Sequence, residues 1–299
     1  MSLIKKGKVK EVHSTEDPEV LEFLFTDNIS VFDKVIPTSI PHKGETLNRT
    51  SEFWFKASEE LGLRSHFIQR TGPNRMRVKK VNVIRDYDKI THDTANYLIP
   101  LEVIARYYAA GSFLDRIKKG KIDPKELGIE GEVYYGMPLP EPFVEFTTKL
   151  EKHDRPLTEK EAQDMAGLTD EELHRLKKAV LDIDAFIEKG AGSRGLIHVD
   201  GKKEFAFDKD RELMVIDTFA TADEDRFWDR EKLERGEFVE LSKEFVRQHY
   251  RSTGYHERLM NARDANQAEP DIPPLPENVT SQVSELYINL FERLTGLDF

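Results

Sequence analysis

The chain has no cysteine among its 299 residues, which excludes disulfides, thiolate nucleophiles and cysteine metal sites. It has no excess of positive charge either: 45 Lys and Arg stand against 56 Asp and Glu, a formal net charge of -11. A broad basic footprint for nucleic acid is therefore missing, and any anionic ligand must be held by locally placed cations. No apolar run approaches the roughly 20 residues of a membrane-spanning helix, and the opening residues lack the apolar core of a secretory signal. A cytoplasmic protein without membrane partners is expected. The patterns G-x-x-x-x-G-K-[S/T] and H-E-x-x-H are also absent, which excludes a P-loop and a two-histidine zinc helix.

What is abundant is charge of both signs, 34% of the residues, well above the usual level of about 25%. The length exceeds one ordinary domain of roughly 100 to 200 residues, so two lobes or one large α+β unit with a sizeable core are expected. Residues 1–97 read as a sheet-rich lobe. Alternating runs cover Lys8 to His13 and Val20 to Thr26, a hairpin turns at Gly72-Pro73-Asn74, and one helix runs from Thr46 to Leu61 with Gly62 placed to end it. Residues 98–299 read as a larger mixed lobe. Its clearest helix spans Asp170 to Lys189, opened by a Thr169/Glu172 capping box and stopped by Gly190; a proline-rich stretch, Glu269 to Pro276, precedes a final amphipathic helix from about Thr280 to Leu294.

The most informative stretch is Leu196 to Phe207, followed after Asp208 to Arg211 by Glu212 to Asp217. If Asp208 to Arg211 is a hairpin turn, Glu204 faces Val215 and Lys202 faces Asp217, and alternation sets Asp200, Lys202, Glu204 and Asp217 on one face. Ile197, Val199, Phe205, Phe207, Met214 and Ile216 take the other. Carboxylates that close could share a divalent ion beside a lysine suited to phosphate. Alternating charge is also what a solvated face with cross-strand ion pairs looks like, and Asp200-Gly201 is a hairpin signal of its own that would split the face.

Gly190 to Gly195 matches G-x-G-x-x-G, but it follows a helix and precedes a strand, the reverse of a dinucleotide loop, and reads as a helix end and linker. Gly7-Lys8-Val9-Lys10 puts two lysines on one face of the first strand, after a glycine that permits close backbone approach, although a basic edge strand has the same pattern. Arg106 leads through small residues to Gly111-Ser112 ahead of a helix at Phe113, offering a charge and a hydroxyl to a phosphate. Thr147-Thr148-Lys149 and His153-Asp154 form a polar cluster, and Asp223 to Asp229 could start a helix.

Taken together and in order, these segments resemble the SAICAR synthetase family. The matches are Gly7 to Lys10, Asp27 to Asp33, His42-Lys43-Gly44, Arg106 to Ser112 as an Arg-x-x-Ala-Ala-Gly-Ser signature, Thr148-Lys149 with His153-Asp154, Asp200-x-Lys202-x-Glu204, Asp217, and Asp223-x-x-Arg226-x-Trp228. The resemblance implies an α+β fold with ATP in a cleft between an antiparallel-sheet lobe and a mixed α/β lobe. It implies ligation of carboxyaminoimidazole ribonucleotide (CAIR) to L-aspartate with ATP and Mg2+ in purine biosynthesis, through an acyl phosphate. By the same resemblance Gly7, Lys8 and Lys10 meet ATP, Glu204 and Asp217 hold Mg2+ and nucleotide, and Asp200 and Lys202 stand at the reacting groups. Arg106, Ser112, Lys149, His153, Asp154, Asp223 and Arg226 hold the other substrates. Self-association is left open, as are two other readings of the same cleft: a phosphotransferase that forms no amide, and a nucleotide-binding paralogue without turnover.

Two departures stand out. Where many members read Asp-Phe-Lys-Leu-Glu, this chain has Gly201 and Lys203 between its charged residues. The Asp217 to Arg226 segment is one residue longer than the usual Asp-Glu-x-Ser-Pro-Asp-x-x-Arg and lacks its second acid, serine and proline.

Overall fold

The alternating apolar pattern of the first eighty residues forms an antiparallel sheet that packs one face on a helix. The computed structural model describes residues 2–151 and 153–299. Strands β1 (Leu3–Lys6), β2 (Lys10–Ser14) and β3 (Val20–Phe25) are followed by the small β4 (Asn28–Val31) and β5 (Lys34–Ser39) ribbon, helix α1 (Lys43–Ser58), and β6 (Arg64–Ser65), β7 (Phe67–Gly72) and β8 (Arg75–Lys79). The first sheet runs β1-β2-β3-β8-β7. Helix α1 begins at Lys43, three residues before the predicted start, because the Asp27 carboxylate accepts the Gly44 N–H at 2.8 Å and caps it from another part of the chain. A side chain at Gly44 would meet the Phe25 carbonyl carbon at 2.9 Å.

The second sheet is built from β9 (Tyr97–Tyr108), β10 (Pro138–Thr148), β11 (Pro156–Leu157), β12 (Leu196–Phe207), β13 (Leu213–Ile216) and β14 (Asp225–Asp229), with β6 on its far edge. Between and after these strands come α2 (Gly111–Lys118), α3 (Glu159–Ala166), α4 (Asp170–Gly192), α5 (Arg230–Glu234), α6 (Glu244–Ser252), α7 (Tyr255–Asp264) and α8 (Glu277–Thr295). Strand β12 is the axis. One edge pairs with β9; the other pairs with β14 through its first half and with β13 through its second. The loop from β13 to β14 therefore leaves the sheet opposite the middle of β12, beside Lys202 and Lys203.

Main-core residues run without a break from Phe23 and Trp54 through Leu101, Val180 and Phe205 to Leu294, so both sheets share one interior. The C-terminal helix crosses between them: Ser284 donates to the Pro41 carbonyl at 2.7 Å and Arg293 pairs with Asp229 at 2.8 Å. Among the described residues no helix is long and apolar enough to cross a membrane.

Several local expectations need correction. The Asp208 to Arg211 turn forms and β12 continues through Asp200-Gly201, but Glu204 faces Ile216, one residue away from the predicted register. A β-bulge between His198 and Asp200 also changes parity along the strand. As a result the predicted apolar face divides. Ile197 and Val199 pack with Trp228, Phe205 and Phe207 join the main core, and Met214 and Ile216 cluster with Ala206. Asp225–Asp229 is a strand, because its side chains alternate against β12, and Asp223 lies in the turn before it. Gly7 to Lys10 is a turn closed by the Gly7 N–H on the Lys10 carbonyl at 2.8 Å. Helix α4 passes Gly190 and ends at Gly192; Gly190 leaves room for the Trp54 ring, 3.2 Å from where a side chain would start.

Candidate active site

A cavity of about 520 Å3 opens on the face of β12 away from α4. Its floor comes from one face of two paired strands: Glu102, Ile104 and Arg106 on β9 beside Asp200 and Lys202 on β12. Period two puts all five on one side, which is the reason charged residues recur at alternate positions in otherwise buried strands.

At one end, Arg106 and Arg226 share the Asp200 carboxylate at 3.4 and 3.1 Å. Arg106 is also gripped by Glu145 at 2.6 Å, and Arg226 by Glu244 at 3.2 Å. The Arg226 Nε is buried without a hydrogen bond among the described residues, although Glu240 stands 3.7 Å away. Gly111, at φ +52°, starts α2 in the left-handed region three residues after the end of β9, and a Cβ there would stand 2.5 Å from Arg226 Nη2. The glycine of the predicted signature thus makes room for the guanidinium, and Ser112 lines the cavity next to it.

Toward the other end Lys202 contacts Glu102 at 2.8 Å, Glu224 at 3.1 Å and Glu204 at 3.3 Å. Burial would lower its pKa, but Glu224, Glu204 and Glu102 outweigh that and hold the ammonium well above the ordinary lysine value. Lys149 pairs with Glu204, and Lys10, reaching over from β2, pairs with Asp217 while lying 4.3 Å from the centre of the Phe23 ring. Burial pushes the Asp217 carboxyl up, yet Lys10, Lys149 and Lys202 together hold it well below the carboxylate range. Asp217 follows the last residue of β13 at φ +63°, and this left-handed turn swings it to the charged side in spite of the shifted register.

The remaining predicted residues sit around this frame. Lys8 pairs with Asp33 at 2.7 Å on the rim, and His153, largely exposed, stands 3.8 Å from the same carboxylate. Asp154 lines the cavity, its pKa raised by burial. Gly7 serves the turn that presents Lys8 and Lys10. Asp223 lines the cavity too, but it is already engaged by Lys43 at 2.9 Å, Lys243 at 3.5 Å and the Tyr287 hydroxyl at 2.5 Å. Sequence reasoning missed Glu102, Glu145, Glu224 and the α6 cations Arg247 and Arg251. Glu102 was discoverable, since it alternates with Arg106 in an apolar run; the others depend on tertiary placement.

A family model described as SAICAR synthetase matches residues 3–262. The chain belongs to the SAICAR synthetase family. It is an amide-forming ligase of purine biosynthesis. The phosphoribosylaminoimidazole-succinocarboxamide synthase of Thermoplasma acidophilum is 50% identical to this synthetase over 296 residues, 99% of both chains. The one of Nitrosopumilus maritimus is 31% identical over 297 residues, again 99% of both. Among solved structures, a type-2 SAICAR synthetase in complex with ADP superposes with a TM-score of 0.70 at 25% identity, over 99% of this chain and 98% of that one. The Saccharomyces cerevisiae SAICAR synthase complexed with SAICAR gives 0.74 at 24% identity, over 99% and 95%, and speaks for the shared α+β fold alone.

Proposed function

We propose that this synthetase joins the carboxylate of CAIR to the amine of L-aspartate, converting ATP to ADP and phosphate through an acyl phosphate. The observation that carries the proposal is the arrangement on one side of β9 and β12, where a paired-arginine end suited to a phosphate monoester adjoins a lysine cluster suited to transferring phosphate. ADP bound by the solved type-2 synthetase supports the nucleotide, and the 50% identical succinocarboxamide synthase of Thermoplasma acidophilum supports the product.

In this reading residues 1–97 form the nucleotide lobe, with Lys8 and Lys10 directed at ATP phosphates, and residues 98–299 carry the rest. Arg106, Ser112 and Arg226 hold the ribonucleotide phosphate, and Asp200, paired with both guanidinium groups, holds them at one end of the cavity. A carboxylate oxygen of CAIR attacks the γ-phosphorus and ADP leaves. The aspartate amine then attacks the carbonyl carbon, the C–N bond forms as the C–O bond to phosphate breaks, and the amine gives up a proton. Lys202, kept charged by three carboxylates, cannot accept that proton; it offsets negative charge that grows on the transferring phosphoryl group and on the tetrahedral carbon. Lys149, His153, Asp154 and Asp223 contribute to the walls around the two substrates.

Glu204 and Asp217 supply oxygen donors of the kind Mg2+ prefers, and each is neutralised by a lysine that a divalent ion could replace. These residues fit the ion, which when bound would screen the polyphosphate charge. The tighter group of Asp184, His198 and Asp225, with ligand atoms within 4.8 Å of one another, does not fit it, since Lys203 already occupies the space between the carboxylates.

The test is ADP release with Mg-ATP, CAIR and L-aspartate, each omitted in turn. Release that needs all three, with SAICAR formed, is the expected result. Stoichiometric release without aspartate and without amide would replace the ligase reading with a phosphotransferase.

A further inference from the structure

Between the cavity wall, which Gly201 and Asp225 help to line, and α4 on the other side of β12 lies a second charged group that the proposed reaction does not use. Lys203 is fully buried and pairs with Asp184 of α4 and, at 2.7 Å, with Asp225. Asp225 also accepts from His198 Nε2 at 2.7 Å and, through its other oxygen, from the Ala220 backbone N–H at 2.7 Å. Tyr107 closes the group by donating to Asp184 at 3.0 Å. Ala220 stands midway along the loop from Asp217 to Asp225 and has φ +54°, a strained conformation for a residue with a side chain. Something must hold it there, and the Asp225 carboxylate is the group in contact.

Both family departures fall on this spot. A Cβ at position 201 would lie 2.7 Å from Asp225 Cγ and 2.5 Å from Lys203 Nζ, so the carboxylate occupies the volume that a side chain would fill. Without Lys203, two carboxylates would be buried with no cation between them, a strongly unfavourable state. The glycine, the lysine and the aspartate are therefore mutually required, and their product is one fixed backbone N–H in the longer loop.

We infer that Gly201, Lys203 and Asp225 act as one positioning clamp, in which the Asp225 carboxylate sets the loop that delivers Asp223, Glu224 and Arg226 to the cavity. This rests on the proposed reading for what the loop then does. Gly201 and Asp225 border the cavity, but the Lys203 and Asp225 side chains are shielded from solvent and neither has to touch a substrate. It replaces apolar packing by charge, and in exchange it tolerates a loop without the usual proline.

Thermal unfolding of wild type, Lys203→Met, Asp225→Asn and the double variant tests the clamp independently of any reaction. Each single change is expected to lower Tm by about 6 °C or more, and the double variant to lose less than the sum of the two, because with Asp225 neutral the loss of Lys203 strands only Asp184 rather than two carboxylates. Strictly additive losses would overturn the clamp. Gly201→Ala keeps every charge and changes one methyl group, at a position whose φ does not demand glycine. Calorimetric binding of ADP in the presence of Mg2+ and KM for the ribonucleotide should each weaken about tenfold or more in this variant, at temperatures where it is fully folded. A Gly201→Ala protein with lowered Tm but wild-type ADP affinity and KM would reduce the cluster to a structural one and end the proposal. If the wild-type chain made no amide while the Tm coupling and the ADP effect persisted, the ligase reading would fall and the clamp would stand.

Discussion

Lys202 and Lys203 are adjacent in sequence and both are ringed by carboxylates, yet they belong to different chemistry. Lys202 faces the cavity with a quarter of its side chain exposed; Lys203 faces α4 with none. On the front, each ion pair borders solvent and can be exchanged for a substrate phosphate or a divalent ion at modest cost. On the back, exchange would strand a buried charge, so the same residue types become fixed structure. Residue type alone therefore does not separate a site from a brace; the side of the strand does.

The comparison breaks most sharply at Lys202. Lys202→Met should lower kcat by about a thousandfold with a smaller loss of Tm than Lys203→Met, since Lys149 still pairs with Glu102 and Glu204 and the partly exposed Glu224 can turn toward water. A variant with intact kcat would move the reacting centre away from β12. Next, Arg226→Ala should raise KM for the ribonucleotide by about a hundredfold, on the order of 3 kcal/mol, with a smaller effect on KM for ATP. Equal effects on both would mean that the two ends of the cavity are not separate.

Asp223 lies between front and back. Asp223→Asn leaves Lys43 and Lys243 close together without their shared counter-charge, and chemical denaturation should show a loss of about 3 kcal/mol. Burial pushes the Asp223 carboxyl up, while Lys243 and Lys43 hold it far below its ordinary range. Its stabilisation is therefore present above the unfolded carboxyl pKa and disappears as pH falls through the depressed folded value.

A milder acid sensitivity should come from His66, packed under Lys10 and Asp217 between the Phe23 and Phe55 rings with its Nε2 unpartnered among the described residues. Burial pulls its pKa from 6.5 to about 3. The unfolded chain thus takes up a proton through that interval and the folded one does not, so stability should fall by about 2 kcal/mol between about pH 6.5 and 5. Urea midpoints across that range should flatten in His66→Phe; an unchanged slope would assign the sensitivity elsewhere. The smallest effect is expected at Lys8, whose pair with Asp33 is half exposed: Lys8→Ala should cost about 0.5 kcal/mol in stability, measurable by urea titration.

Much of this could be read from local pattern. The Thr169/Glu172 capping box and the Gly72-Pro73-Asn74 hairpin follow from neighbours in sequence and the structure contains both as read, whereas the helix expected to stop at Gly190 runs on to Gly192 before β12. The register of β12 on β13 could not be read in that way, because the turn takes in Glu212 as well, with the Asp208 N–H on the Glu212 carbonyl and Arg211 in the left-handed region, and no glycine announces it. Glu224 and Glu145 were equally hidden, since their partners lie on strands and loops remote in the chain.

The sequence by itself determined which residue types were available on β9 and β12 and at what period, because alternation along a strand is a local property of the backbone. It also carried the ordered series of motifs that identifies the family. Only the tertiary structure decided which charges meet. Pairing β13 and β14 along the same edge of β12 throws their connecting loop across Lys202 on one side and Lys203 on the other, and the low dielectric behind the strand makes the second set permanent where water leaves the first set free to exchange.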